Sequence, residues 1–413
     1  MNTKTVYLPD EISTALNILE SNGFDAYVVG GAIRDCVMNN PVSDYDITTN
    51  ATPDEIHTLF DKSIDTGISH GTVTVVINHI HIEITTFRQD GNYTDHRRPD
   101  NVSFSKKIED DLARRDFTVN ALAFNPQCGI IDFFGGMEDI ERKILKCVGD
   151  AEKRFDEDAL RMLRLIRFSS KLGCDVDDST LSALLKKEKL ITYVSKERIR
   201  EEIIKIFTSD FPEKIFIFRK SNIFDFIFQT DFYKKINETT VHNMKNLEKN
   251  HIVRFAYIMS ELYSDCKEKM QNVLSSLKFS NKEKRDILSI AEFIREYLSY
   301  DQKEIDKYTI KKSMAKYSEE SILLSFDILK IYTDIQKTEK LFEEIKSNCE
   351  PYTVSQLKIT GKALIEMGFT GEDTGRCLKY LLELVTKNPT LNTKETLTKE
   401  AGKYYEQKCL CKN

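Results

Sequence analysis

The stretch of sequence that decides the fold is AYVVGGAIRDCVMNNPVSDYD, residues 26–46. A short apolar strand is predicted over Ala26–Val29, and it runs directly into Gly30 and Gly31. Glycines at the end of a strand let backbone N–H groups approach a phosphate closely, and Arg34 could then pair with the phosphate oxygens. The stretch therefore predicts a phosphate-binding turn, although a Gly-Gly pair by itself is more often an ordinary turn.

Two carboxylates end this stretch. Asp44 and Asp46 are two residues apart, and side chains with this spacing on a strand point to the same face. They repel each other unless cations lie between them, which is the arrangement that holds divalent metals in phosphoryl or nucleotidyl transfer. Glu83 lies in the alternating segment HIEI, residues 81–84, and a neighbouring strand could bring it to the same metals. An isolated Asp-x-Asp is usually a solvated turn, so this prediction depends on the combination.

A second polar segment, DLARRDFTVN, covers residues 111–120. Arg114 and Arg115 could contact phosphates. Asp116 and Asn120 are four residues apart, so on a helix they would share a face and could hold a pair of ribose hydroxyls. An equally good interpretation is the first turn of a helix, where the helix dipole favours Asp116.

A third segment, EDALRMLRLIR, covers residues 157–167 and repeats arginine at every third position. Asp158 and Arg161 would be neighbours on one helix face. Such a pair fits cytosine and adenine, since a carboxylate accepts from an exocyclic amine and a guanidinium donates to the adjacent ring nitrogen. Uracil and guanine would leave buried polar groups unpaired. Arg164 and Arg167 would serve the triphosphate or hold Asp158 in place, although a surface helix with ion pairs is the commoner meaning of such a pattern.

The secondary-structure pattern changes after residue 150. Strand and helix signals alternate in residues 1–150, which predicts an α+β domain with a mixed sheet. Helical periodicity dominates afterwards, and single helices are predicted over residues 155–171, 195–207 and 318–346. We therefore predict an α+β head followed by three all-α parts. These parts are a neck (151–207), a body (208–350) and a tail (351–413).

The composition of the 413 residues is that of a folded, multidomain chain, with 40% hydrophobic residues and a net charge of −6. Residues 1–150 hold 13 Lys and Arg against 24 Asp and Glu, whereas the rest of the chain carries a net charge of +5. An acidic first third suits divalent metals, and a basic remainder suits a polyanionic partner. The sequence has no run of 18 apolar residues, no secretory signal pattern and no C-x-x-C among its nine cysteines. We therefore expect a cytoplasmic protein without a membrane span.

In their order and spacing, these motifs resemble the class II tRNA nucleotidyltransferases, the bacterial-type CCA-adding enzymes of the polymerase-beta nucleotidyltransferase and poly(A) polymerase superfamily. The resemblance covers residues 20–207, through VVGGAIRD, SDYDITT, DLARRDFTVNALAF, RFDEDALRMLRLIRFSSKLG and SKERIREEIIKI. The segment LKITGKALIEMGF resembles the tail of the short bacterial branch, and residues 208–350 match only as a lysine-rich helical body.

The resemblance implies an activity and a metal. The family adds CCA to the 3′ end of tRNA without a template, from CTP and ATP, and releases pyrophosphate. Asp44 and Asp46 would bind two Mg²⁺ ions, of which one activates the tRNA 3′-hydroxyl and the other neutralises the triphosphate. Glu83 matches a supporting third carboxylate. The tRNA would lie along the basic helical body, and no obligatory protein partner is evident.

The resemblance also implies the nucleotide-binding residues. Gly31 and Arg34 would contact the triphosphate, and Arg115 would bind the nucleotide with Asp116 and Asn120 near the ribose. The third segment would supply a template that reads C and A, followed by two residues that complete the pocket. These four residues are Asp158, Arg161, Arg164 and Arg167.

Related activities stay open. CC-adding relatives lack a flexible loop that is intact here over Arg88–Ile108, which disfavours CC addition alone. An enzyme that adds only A to CC-ended tRNA has similar motifs, as does a poly(A) polymerase, although the long basic extensions of the latter are not seen. The intact Asp-x-Asp disfavours a catalytically inactive RNA-binding protein on this fold. The long helical body disfavours transfer to a small molecule.

Overall fold

The structure, a computed structural model, describes residues 6–42, 44–67, 71–91, 93, 101–264 and 266–410. It divides into two compact units. The first unit is residues 1–245 with residues 276–278, and the second unit is residues 246–275 with residues 279–413. The finer division into head, neck, body and tail stays a prediction. In the part of the chain that the structure describes, no helix is both long and apolar enough to cross a bilayer.

Strands are confined to the first unit among the described residues. In chain order they are β1 (Ala26–Val29), β2 (Asp46–Thr49), β3 (Ser63–Gly67), β4 (Thr72–Ile77), β5 (Ile80–Thr86), β6 (Arg88–Asp90), β7 (Val102–Phe104), β8 (Leu122–Asn125), β9 (Gly129–Asp132), β10 (Ile144–Leu145) and β11 (Asp175–Val176). A seven-stranded sheet has the order β3-β4-β5-β2-β1-β8-β9, in which β2 and β5 are parallel and the other neighbours are antiparallel. The predicted mixed sheet is confirmed.

Helices make up most of the remainder. Those of residues 1–245 are α1 (Asp10–Ser21), α2 (Gly31–Val37), α3 (Pro53–Leu59), α4 (Ile108–Ala113), α5 (Gly136–Glu141), α6 (Ala151–Glu157), α7 (Leu160–Leu172), α8 (Asp178–Lys187), α9 (Lys196–Phe207), α10 (Ile223–Phe228), α11 (Phe232–Lys235) and α12 (Glu238–Asn246), the last of which ends one residue beyond. Later helices are α13 (His251–Leu262), α14 (Lys267–Ser276), α15 (Asn281–Leu298), α16 (Lys307–Lys316), α17 (Glu319–Tyr332), α18 (Gln336–Ser347), α19 (Gly361–Glu366), α20 (Glu372–Lys387) and α21 (Lys394–Leu410). Short 3₁₀ helices cover Thr118–Asn120, Glu188–Tyr193, Pro212–Phe218, Val354–Gln356 and Pro389–Leu391.

Strand register brings the Gly-Gly turn and the acidic residues to one edge of the sheet. Val29, the last residue of β1, pairs with Asp46, the first residue of β2. Asp46 in turn pairs with Glu83 of the parallel strand β5. The alternate residues of these strands are apolar and fully buried, as Val28 and Ile47 illustrate, and their burial fixes the register. The Gly-Gly turn therefore starts at the edge of the sheet where Asp46 and Glu83 lie.

Two of the predicted single helices are each interrupted. The helix expected over residues 155–171 ends at Glu157, and a new helix begins at Leu160. Asp158 between them has extended backbone (φ −139°, ψ 103°), and its carboxylate accepts the N–H of Leu160 at 3.1 Å. Aspartate competes for backbone donors in this way and so favours helix ends over helix interiors. The prediction of one continuous helix was therefore wrong.

The same chemistry divides the helix expected over residues 318–346. It ends at Tyr332, and α18 begins at Gln336. Thr333 is fully extended, and the carboxylate of Asp334 accepts the N–H of Gln336 at 2.9 Å. The helix predicted over residues 195–207, in contrast, is confirmed as α9.

The second unit is a helical assembly without strands in its described residues. A separate apolar cluster near its C-terminal end includes Leu364, Phe369, Leu381 and Leu397, all at most 1% exposed. The helical character that was predicted after residue 150 is confirmed here, while the two-residue strand β11 in the first unit is a small exception.

Candidate active site

The first unit contains a cleft of about 690 Å³ between the Gly-Gly turn, the start of β2, the segment after α4, and helices α7 and α9. Its walls are polar and rich in arginine. Every predicted site residue except Glu83 lines it, which brings together three distant segments of the sequence. These residues are Gly31, Arg34, Asp44, Asp46, Arg115, Asp116, Asn120, Asp158, Arg161, Arg164 and Arg167.

The three predicted carboxylates meet at the edge of the sheet. Asp46 begins β2 and Asp44 precedes the strand, so the two do not share a strand as expected. Glu83 is in register with Asp46, which confirms the expected neighbouring strand. Desolvation and the negative charge of Glu83 raise the pKa of Asp46; Arg115 lowers it, and Asp44 raises it further. The group is thus crowded with negative charge that one arginine opposes.

This donor set fits a hard divalent cation. Carboxylate oxygens are the ligands that Mg²⁺ prefers, and a cation between them would relieve their repulsion. Among the described residues, no three or more His, Cys, Asp or Glu side chains are gathered as a metal site. A cation held by Asp44 and Asp46 would take most of its remaining ligands from substrate and water, as Mg²⁺ commonly does.

Gly30 is required where Arg115 crosses the turn. Its φ is +73°, and a Cβ placed there would lie 2.7 Å from an Nη atom of Arg115. Only glycine combines that backbone conformation with so close an approach. The first glycine of the pair therefore admits the guanidinium of Arg115 beside the turn, and the second begins α2.

A chain of hydrogen bonds joins the Gly-Gly turn to α7. Arg34 donates through Nε (2.9 Å) and one Nη (2.8 Å) to Asp35, and through its other Nη to Oδ1 of Asn120 (2.5 Å). Asn120 donates to Oδ1 of Asp116 (3.0 Å), whose Oδ2 accepts from Nε of Arg164 (2.7 Å). Arg34 is 3% exposed, so its main role in the structure is to connect α2 to Asn120 by a buried hydrogen bond.

Asp116 is the centre of that network, although not as predicted. Helix α4 ends at Ala113, and a 3₁₀ turn covers Thr118–Asn120, so Asp116 and Asn120 contact each other across a turn rather than along a helix face. Burial alone would raise the pKa of Asp116, but the charge of Arg164 and the hydrogen bonds from Asn120 and Arg164 lower it to about 2. Asp116 is therefore buried and ionised, and it connects Asn120 to Arg164.

Asp158 and Arg161 both line the cleft, but they are not paired with each other as the helical spacing suggested. Arg161 donates to Oε2 of Glu157 (2.6 Å) and to the backbone carbonyls of Arg154 (3.1 Å) and Arg114 (2.9 Å). The interruption of the helix at Asp158 separates the two side chains, and this is the physical reason for the difference.

Three contributors escaped the sequence reasoning. Arg198 of α9 donates to Oδ1 (3.3 Å) and Oδ2 (2.8 Å) of Asp158. Glu202, one turn later on α9, accepts from Nε of Arg167 at 2.6 Å. The ring of Phe168 has the guanidinium carbons of Arg34, Arg164 and Arg167 at 5.2, 5.4 and 3.9 Å from its centroid, which lowers the repulsion among the cations. The Arg-x-x-x-Glu spacing in α9 was the available signal.

The loop over residues 88–108 is seen in part. Strands β6 and β7 pair at its base, and the Tyr93 hydroxyl donates to Oδ2 of Asp90 at 2.7 Å. Asn92 and residues 94–100, which include Arg97, Arg98 and Pro99, lie outside the described residues.

Comparison with known proteins identifies relatives of this chain. Residues 26–146 match the family model "Poly A polymerase head domain", and residues 249–401 match a model of tRNA nucleotidyltransferase domain 2. A CCA-adding enzyme of Staphylococcus saprophyticus is 36% identical over 394 residues, which are 92% of this chain and 90% of that protein. A CCA-adding enzyme of Lactobacillus delbrueckii is 51% identical, but the match spans 46% of this chain and about half (48%) of that relative.

Similar solved structures cover nearly the whole chain. The CCA-adding enzyme of Bacillus stearothermophilus in complex with CTP has a TM-score of 0.77 at 28% identity, with 96% of this chain and 98% of that chain covered. The Thermotoga maritima CCA-adding enzyme complexed with tRNA has a TM-score of 0.69 at 21% identity, with 97% of each chain covered, and so shares the fold. Together with the near full-length relative, these matches show that the chain belongs to the family of CCA-adding enzymes.

Proposed function

We propose that this chain adds CCA to the 3′ end of tRNA without a nucleic-acid template, using CTP and ATP and releasing pyrophosphate. One observation carries the proposal: the edge of the sheet that holds Asp44, Asp46 and Glu83 opens into an arginine-lined cleft whose far wall holds Asp158 and Arg161. Acidic ligands for a metal and a pair able to read a base therefore face one cleft. The near full-length relative named as a CCA-adding enzyme supports the same activity.

Enzymes of this superfamily use a divalent metal, and we propose that the ion here is Mg²⁺, held by Asp44 and Asp46 with Glu83 in support. Bound there, it would favour the ionised 3′-hydroxyl and offset the charge of the triphosphate. The protein itself would orient the triphosphate. Gly31 offers its backbone N–H, and Arg34 keeps two N–H groups beyond the three that hold Asp35 and Asn120.

The remaining nucleotide contacts follow the cleft. Arg115 would bind the triphosphate, and Asp116 with Asn120 would lie near the ribose. Arg164 is held by Asp116 and Arg167 by Glu202, so both would complete the pocket as fixed cations.

Asp158 and Arg161 would select the base. The Arg161 bonds to described residues employ both hydrogens of one Nη and one hydrogen of the other, which leaves Nε–H and one further hydrogen to donate. An acceptor carboxylate and a donor guanidinium complement the amine and ring nitrogen of cytosine and adenine. Uracil and guanine present a carbonyl and a ring N–H there, so both positions would be mismatched.

We propose tRNA as the partner of the helical part of the chain, and the cytoplasm as the place of action. The net charge of +5 after residue 150 supports binding of a polyanion. Such binding should weaken steeply with added salt, because each neutralised phosphate releases counterions.

The test uses purified protein, Mg²⁺ and three tRNAs, which end before CCA, in C and in CC. Each receives CTP, ATP, UTP or GTP alone, then CTP with ATP, and products are resolved to the nucleotide. The expected result is C, C and A on the first tRNA, followed by a stop. Addition of A only to the CC-ended tRNA would identify an A-adding enzyme, and long A tails a poly(A) polymerase. With Asp44→Ala, transfer should vanish while tRNA binding persists; survival of transfer would contradict the metal assignment.

A further inference from the structure

Helix α9 contributes a row of charged side chains to one wall of the cleft. Arg198 in its first turn pairs with Asp158, and Glu202, four residues later, pairs with Arg167. Residues at this spacing share one helix face, and this face contacts Asp158 just before α7 and Arg167 within α7. Arg198 thus holds the carboxylate of Asp158, while Glu202 holds the guanidinium of Arg167.

The bonds of Asp158 leave a defined place for one more donor. Its Oδ1 accepts from the N–H of Leu160 (3.1 Å) and from one Nη of Arg198 (3.3 Å), whereas its Oδ2 accepts from the other Nη (2.8 Å). A carboxylate offers about four acceptor positions. Among the described residues three are taken, so one position on Oδ2 is left, and the Asp158 side chain, which lines the cleft, is 16% exposed.

We propose that Arg198 is a positioning residue for base selection: by holding both oxygens of Asp158, it orients that carboxylate to accept one exocyclic amine. This inference rests on the proposed function, because it assumes that Asp158 reads the base. A two-point guanidinium bond fixes the plane of a carboxylate, which a lysine ammonium does not do. Without Arg198, the carboxylate of Asp158 would rotate or turn away from the base. Its hydrogen bond to the exocyclic amine of cytosine would weaken, so cytosine would be favoured less over uracil, which presents a carbonyl there.

The proposal is tested by single-nucleotide incorporation into tRNA, with kcat and KM measured separately for CTP and UTP. Arg198→Met should lower the ratio of kcat/KM for CTP to that for UTP by about 10-fold or more, and Arg198→Lys should give an intermediate ratio. In an Asp158→Asn background, Arg198→Met should change the ratio no further, since two residues that act through one contact are not additive. Lys205→Met, which removes an exposed cation from the same helix, should behave as the unmodified enzyme.

The outcomes separate this proposal from the proposed function. If the unmodified enzyme adds neither C nor A, the proposed function fails. If it does add them and Arg198→Met raises KM equally for all nucleotides with an unchanged CTP-to-UTP ratio, Arg198 binds the triphosphate instead, and the proposal is wrong. Independent, multiplying effects in the double variant would also overturn it. Should Arg198→Met not fold by circular dichroism, Arg198→Lys decides, and full discrimination in that variant refutes the proposal.

Discussion

Asp46 of β2 and Glu83 of β5 are direct partners in the only parallel pairing within the described part of the seven-stranded sheet. Each also has an antiparallel neighbour, Val29 for Asp46 and Thr74 for Glu83. Because in-register residues of parallel strands project to one face, a second carboxylate is built in beside the first without any loop to position it. This rigidity suits a site that must hold highly charged groups at fixed separation.

Replacing Glu83 by Gln should raise the Mg²⁺ concentration needed for half-maximal transfer by ~10–100-fold, the usual cost of losing a group that supports a metal ligand. The amide keeps the size of the side chain and removes its charge. Initial rates of C addition across a Mg²⁺ titration would measure the change. His81→Gln, at an exposed position two residues earlier on the same strand, is the control. An unaltered Mg²⁺ requirement would exclude Glu83 from the metal site.

The local part of the site could be predicted from sequence, and the long-range part could not. The Gly-Gly turn, Asp44, Asp46 and the strand of Glu83 were identified because each depends on spacing within a few residues. The pairing of Asp158 with Arg198 joins residues 40 positions apart, and it depends on how α7 packs on α9. The Arg-x-x-x-Glu spacing in α9 places Arg198 and Glu202 on one helix face, but it does not indicate which residues they contact.

The interruption of the helix at Asp158 was missed for a related reason. Apolar residues continue on both sides of it, with Phe155, Ala159 and Met162 all fully buried. Hydrophobic periodicity therefore passes through the break. The signal that was present is the aspartate itself, whose carboxylate accepts the N–H of Leu160 at the start of the next helix; such local bonds favour aspartate at helix ends.

Asp116 should make stability depend on pH. Its folded-state pKa of about 2 lies below the ordinary aspartate value of 3.8. The carboxylate therefore stabilises the fold above about pH 4, and this contribution, about 2 kcal/mol, is lost as the pH falls toward 2. Asp116→Asn should lower the free energy of unfolding at pH 7 by a similar amount. At pH 3 the difference in unfolding free energy between this variant and the unmodified protein should be smaller. Urea unfolding at both pH values measures it.

The control for Asp116 is Asp61→Asn, a change at an exposed turn residue. That variant should unfold as the unmodified protein does at both pH values. A constant difference between Asp116→Asn and the unmodified protein at pH 7 and pH 3 would mean that the charge of Asp116 is not what stabilises the network.

Gly30 and Gly129 separate backbone strain from side-chain crowding. Both have positive φ, +73° and +77°, but a Cβ would meet Arg115 at 2.7 Å at Gly30 and nothing within 4 Å at Gly129. Alanine at either position should cost about 1–2 kcal/mol of stability through its backbone conformation. Only Gly30→Ala should also displace Arg115 and raise KM for CTP and ATP. Equal KM values in the two variants would argue against a role of Arg115 in nucleotide binding.

Lys311 should contribute to the stability of the second unit and not to nucleotide transfer. Its side chain is 1% exposed, and its Nζ lies 2.7 Å from Oε2 of Glu350 and donates to the carbonyl of Thr386 at 3.0 Å. Lys311→Met removes the ion pair and the hydrogen bond from a buried place, and Lys307, 2.8 Å from Oε1 of Glu350, compensates in part. We expect a loss of about 2 kcal/mol in the free energy of unfolding, read by urea unfolding.

Lys387→Met is the matched control for Lys311→Met. It breaks a pair with Glu383 in which both side chains are more than half exposed, and such surface pairs contribute little, so its unfolding free energy should hardly change. Single-turnover addition of C in the presence of saturating tRNA should be the same in both variants, because the proposed reacting groups lie in the first unit. A large fall in that rate for Lys311→Met, with the fold intact, would mean that the buried lysine affects how tRNA presents its 3′ end.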